Sequence, residues 1–231
     1  MLEKLVFKKR VLKFMADETR EFFFYQPAVV VRGRRRRRRR FKKPRWTFIF
    51  IALCTVIFFV DLAFSIWPAF AFTPAQAFSM PWTFITSIFL HAGFDHLFFN
   101  MFALFMFGLY LETRVSTKQY LSIFFIAGFF GNVAYWLTAP LGTIPAVGAS
   151  GAVYGVMGML AVLYPGLVVY IGFAPMPIIF AAALWFLLEF TGMFTPSNIA
   201  HQAHLAGLIV GAAYGLYIRR ERNKLVFFWE K

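Results

Sequence analysis

Residues 34–67 read RRRRRRRFKKPRWTFIFIALCTVIFFVDLAFSIW. Ten of the first twelve positions are Arg or Lys. The next 22 contain neither, and a single acid, Asp61. A helix of that length and polarity crosses a hydrocarbon core of about 30 Å. A basic cluster at one end of such a helix holds that end in the cytosol. The unbroken run Arg34–Arg40 self-repels in water. Beside a bilayer it attracts anionic headgroups, at about 1 kcal/mol per basic residue. It reads as a topology signal and lipid contact, and no nucleic-acid partner is expected.

The rest of the chain extends this pattern. Of 231 residues, 60% are hydrophobic, 21% aromatic and only 15% charged, yet the net charge is +14. A soluble domain is roughly half apolar and about a quarter charged. Of the 24 Lys and Arg, 17 lie in residues 1–45, two are Arg114 and Lys118, and five lie in 219–231. Two long stretches, 46–113 and 119–218, therefore have no basic residue with which to wet a surface. A soluble enzyme is excluded and a polytopic membrane protein is indicated. One cysteine, Cys54, cannot form an intrachain disulfide. The charged first 45 residues contain no apolar core of a signal peptide, and Glu3, Asp17, Glu18 and Glu21 argue against a transit peptide.

Six apolar segments are expected to span: Trp46–Trp67, His96–Leu111, Gln119–Ala139, Ser150–Tyr164, Pro177–Gly192 and Ile199–Ile218. The fold class is an all-α membrane bundle with a large, membrane-associated first outer loop. Residues 1–45 form a basic cytosolic arm, 46–220 the six-helix domain and 221–231 a cytosolic tail. The loops 68–93, 140–149 and 193–198 contain no Lys or Arg and face outside. The connection 165–176 carries no charge and is silent on orientation.

Polar groups inside spans are costly and usually face the bundle interior or a water-filled cavity. Here they gather at the outer ends. Ser150 stands in GASGAVYG at 148–155, where it could be no more than a favoured N-cap. His204 opens HLAGLIVG at 204–211. Gly207 and Gly211 share its helical face, and Gly148, Gly151 and Gly155 surround the serine. Small-xxx-small faces let two membrane helices touch backbone to backbone. That packing brings His204 to Ser150, and a Ser hydroxyl needs such a base to become a nucleophile. His96 and Asn100, at i and i+4, offer N–H donors for a developing oxyanion, beside the backbone N–H of Ser150. Interhelical hydrogen bonding is the plainer use of both residues.

The set Gly148-x-Ser150-Gly151, AHLAG at 203–207 and His91-x4-His96-x3-Asn100 resembles the rhomboid intramembrane serine proteases. Trp82, Glu112-Thr113-Arg114 and Tyr154 add to the resemblance, which covers residues 46–220. It implies peptide-bond hydrolysis by a Ser150–His204 dyad without a third acid, on transmembrane protein substrates and with no cofactor. It also implies that Tyr154 packs on the catalytic histidine. No acid lies near His204 in the chain; Asp61 and Glu189 read as structural polar contacts, and His91 and His201 as structural or solvent-facing. Thr83 departs from the Arg that many members carry after the Trp, a difference that bears on loop–lipid contact.

Three other classes fit less well. Four histidines at one level suggest zinc, but H-E-x-x-H is missing. A catalytically silent rhomboid-like scaffold that binds transmembrane clients typically lacks the Ser or the His. A transporter would place its polar residues at midplane in broken helices.

Overall fold

The computed structural model describes residues 43–197 and 199–228, and each of the six apolar runs is helical in it. Residues 1–42, with the Arg34–Arg40 run and its expected lipid contact, lie outside the described residues. Helix α1 is Trp46–Phe64. Two short turns follow in the first loop, α2 (Trp67–Phe70) and α3 (Thr83–Thr86). Helix α4 (Phe94–Ala103) runs through a π turn, Leu104–Gly108, into α5 (Leu109–Glu112). Then come α6 (Thr117–Thr138), α7 (Ser150–Leu163), α8 (Ile178–Gly192) and α9 (His201–Phe228). Among the described residues, α1, the continuous 94–112 helix and α6 are long and apolar enough to cross a membrane; α7 and α8 are shorter apolar helices. Helix α9 continues past residue 220, where the sequence suggests a separate tail.

The connection between α7 and α8 holds an element that the hydropathy does not reveal. Strands β1 (Val168–Ile171) and β2 (Ala174–Pro177) pair antiparallel, with Val169 opposite Met176. Gly172 takes a φ of +62° in the two-residue turn, the backbone such hairpins favour.

Helix α7 is the centre of the bundle. Its residues 151–153 and 155–161 are all buried. Helix α1 buries only Thr47, Phe50, Cys54 and Phe58, a narrow stripe at helical spacing. Its other face presents Phe48, Val56, Phe59, Leu62 and Phe64 outward. Such an apolar outer face suits lipid, not water.

Glycine sets how closely the central helices approach. A Cβ on Gly207 would lie 2.1 Å from the carbonyl oxygen of Gly151, and one on Gly211 would lie 2.0 Å from that of Gly155. Helices α7 and α9 are thus in backbone contact along this seam, as the small-residue spacing predicts.

Glu112 ties the 94–112 helix to α1. Its carboxylate accepts hydrogen bonds from the backbone N–H groups of Arg45, Trp46 and Thr47, at 2.8, 2.9 and 2.9 Å, and from the Thr47 hydroxyl at 2.7 Å. It satisfies the free amides of the α1 N-terminus and opposes the positive end of that helix dipole. Glu112→Ala should therefore cost about 3 kcal/mol, because it leaves several donors unpaired in one place. A fall in the thermal midpoint of the purified protein in detergent checks this; an unchanged midpoint contradicts it.

The first loop is pinned to the loop before α7. Phe72 and Ala146 exchange two backbone hydrogen bonds, and the Gly148 N–H donates to the Ser87 carbonyl at 2.9 Å. Buried Asn132 of α6 donates to the Phe84 carbonyl and the Ser87 hydroxyl. Thr83 is buried and donates to the Met80 carbonyl, so this position faces the protein. Half-exposed Trp82 instead anchors its indole N–H on the Ala69 carbonyl.

Candidate active site

Ser150 is the first residue of α7, and the N-cap position before it is Ala149. This removes the N-cap explanation. Its Oγ lies 2.7 Å from Nε2 of His204, one turn into α9. The contact follows from the glycine seam one turn deeper, which holds the two helices at backbone distance. Tyr154, one turn below the serine, stacks on the His204 ring at 4.6 Å between centroids and 9° between planes.

His96 and Asn100 sit on the first two turns of α4. The backbone N–H of Ala92 donates to Nδ1 of His96 at 3.4 Å. Nδ1 thereby acts as an acceptor, so in the neutral ring the proton sits on Nε2. A Cβ on Gly148 would fall 2.7 Å from that Nε2, and the Gly148 φ of +121° disfavours any other residue. Glycine here lets the loop before Ser150 run directly over the His96 ring. Asn100 uses one amide hydrogen on the His96 carbonyl at 2.8 Å and keeps a second. His96, Asn100, Gly148, Ser150, Gly151 and His204 all line one cavity of about 810 Å³, together with Ala92 of the first loop and residues of the 192–203 segment.

The other polar residues fall into two groups. His91, in the loop before α4, is buried against the His96 ring at 5.2 Å. Burial first, then the His96 charge, pulls its pKa down to about 3, so it is a neutral packing group. Asp61 accepts the Trp67 N–H at 2.8 Å and turns the chain after α1. His91 is thus not solvent-facing, and Asp61 makes a local polar contact. Glu189 is not remote from the serine site. Its Oε1 lies 3.0 Å from Nδ1 of His204 and accepts the Tyr154 hydroxyl, and its Oε2 lies 2.5 Å from Nδ1 of His201. The expectation of an acid-free Ser–His pair therefore does not describe this geometry. The chain hides the contact because Glu189 stands 15 residues before His204, on a different helix. A single acid in the otherwise uncharged α8 was the available signal. Ligand atoms of Glu189, His201 and His204 all lie within 4.8 Å of one another, close enough to share a metal ion. Glu189 and His201 also pair directly without one.

The fold and this constellation define a helical integral membrane protein with a paired Ser and His lining one cavity. The family model for the rhomboid domain matches residues 78–221, and the chain belongs to the rhomboid family. YdcA of Bacillus subtilis (strain 168), which carries a rhomboid name, is 37% identical over 132 residues, covering 56% of this chain and 63% of its own. Rhomboid protein 1, mitochondrial, of Saccharomyces cerevisiae is 32% identical over 151 residues, covering 61% and 42%. Rhomboid protease GluP of Bacillus subtilis is 32% identical over 192 residues, covering 75% and 36%. The chain thus spans less than two thirds of the length of these relatives.

Proposed function

We propose that this protein is an intramembrane serine endopeptidase that cleaves transmembrane protein substrates near the outer face of the membrane. The carrying observation is the 2.7 Å contact between Ser150 Oγ and His204 Nε2 at a cavity that His96 and Asn100 also line. Ser150 attacks the scissile carbonyl while its proton passes to His204 Nε2. His204 then donates that proton to the departing amine. A water takes the place of the amine, gives a proton to the same nitrogen and attacks the acyl carbon; the Oγ–C bond then breaks and Nε2 returns the proton to Ser150 Oγ. Three donors converge where the oxyanion forms: His96 Nε2–H, the spare Asn100 amide hydrogen and the Ser150 backbone N–H. The last is the first amide of α7, which has no intrahelical acceptor and carries the positive end of the helix dipole. Tyr154 keeps the His204 ring in plane for both transfers.

In this reading all six apolar helices cross the membrane, with both termini and the 113–116 loop in the cytosol. Ser150 and His204 then lie near the outer face, and the cavity admits the water that hydrolysis requires. A substrate helix must unwind there, because attack needs an extended backbone at the serine. The basic arm contacts anionic lipid on the cytosolic side.

A fluorophosphonate probe tests the proposal. Wild type is expected to label and Ser150→Ala to remain unlabelled, with no effect of a metal chelator. A wild type that neither labels nor cuts contradicts proteolysis and favours a client-binding scaffold. Chelator-sensitive cutting would point to the Glu189–His201–His204 cluster as a metal site.

A further inference from the structure

We infer that Glu189 is a positioning residue that completes a Ser150–His204–Glu189 triad, held by Tyr154 and His201. The inference deepens the proposed protease reading and rests on it. Glu189 is the only charged residue of α8 and is 7% exposed. A buried carboxylate is costly unless it is paired and hydrogen-bonded. This one is surrounded. The Tyr154 hydroxyl donates to Oε1, His201 Nδ1 meets Oε2 at 2.5 Å, and His204 Nδ1 lies 3.0 Å from Oε1.

Pairing with His201 alone would account for the burial of the acid. It would not account for which atom of His204 the acid faces. The two ring nitrogens of His204 point opposite ways: Nε2 meets the Ser150 hydroxyl and Nδ1 meets the carboxylate. Nδ1 is buried and makes no hydrogen bond among the described residues; the Glu189 oxygen faces it at an ion-pair distance of 3.0 Å. A negative charge there keeps the ring proton on Nδ1 and leaves the Nε2 lone pair for the serine proton. When Ser150 attacks, the Oγ–H bond breaks, the Oγ–C bond forms and Nε2 gains the proton. The imidazolium that results faces a carboxylate at ion-pair distance. Glu189 keeps its charge throughout and takes no proton.

Tyr154 then has two roles. Its ring flattens His204 and its hydroxyl fixes the carboxylate behind it. One residue on α7, one on α8 and two on α9 thereby set the base relative to the nucleophile.

The test uses the full chain in proteoliposomes with a single-span substrate. Wild type, Ser150→Ala and Glu189→Gln are compared for kcat, KM and thermal midpoint. Glutamine keeps the shape and still accepts the Tyr154 hydroxyl, but it lacks the charge. Glu189→Gln is expected to lower kcat on the order of 100-fold, with KM within about twofold and the midpoint nearly unchanged. A second pair, Glu189→Asp and Glu189→Asn, has equal size and differs in charge, so it carries the test if the glutamine variant does not fold. Asp is expected to be about tenfold faster than Asn. Equal rates in that pair, or a Glu189→Gln kcat within about threefold of wild type, would overturn the triad while leaving the protease reading intact. A wild type that cuts no better than Ser150→Ala overturns the protease reading and the triad together.

Discussion

Ser150→Ala is expected to lower the cleavage rate roughly 10⁴-fold or more, and His204→Ala by a comparable factor. The two side chains act as one unit. Oγ and Nε2 are hydrogen-bonded to each other at 2.7 Å. Removing either should therefore cost nearly as much as removing both, and the double variant should be little slower than each single one. Substrate binding should survive, since neither change opens the α7–α9 seam. Cleavage rates of the three variants on one substrate check this. A double variant that loses the product of the two single losses would show that Ser150 and His204 act independently.

Gly207→Ala and Gly211→Ala should each destabilise the protein on the order of 3 kcal/mol and also abolish most activity. The new methyl would sit 2.1 or 2.0 Å from a backbone carbonyl oxygen. Backbone cannot swing aside as a side chain does, so α7 and α9 must part. Ser150 and His204 stand at the end of that seam, and a 2.7 Å hydrogen bond does not tolerate a shift of an ångström. Gly93→Ala is the matched control. A Cβ there meets nothing within 4 Å, and the extended backbone suits any residue. Thermal midpoints and probe labelling of the three variants separate the cases. Gly207→Ala with native stability would show that the seam is looser than described.

The apolar runs and the Gly207/Gly211 spacing were legible because both are local: hydropathy gives a span, and i, i+4 glycines give a thin face. The Ser150–His204 meeting followed from those faces. Three features were hidden for physical reasons. Val168–Ile171 and Ala174–Pro177 look like any apolar linker, since a short apolar strand and a helical turn share one hydropathy. The role of Glu112 at α1 depends on a contact some 65 residues away in the chain. Glu189 belongs to a third helix, and no periodicity in one helix says which face of another it meets. Its presence in an apolar segment was the only sign, and an intramembrane acid alone names no partner.

The most direct measurement is mass-spectrometric mapping of the cut made by purified full-length protein in proteoliposomes on a single-span substrate. We predict one principal cleavage within or at the outer edge of the transmembrane segment, present with wild type, absent with Ser150→Ala and indifferent to chelators. No cleavage by wild type, or the same cut by Ser150→Ala, would contradict the proposal that this protein is an intramembrane serine protease.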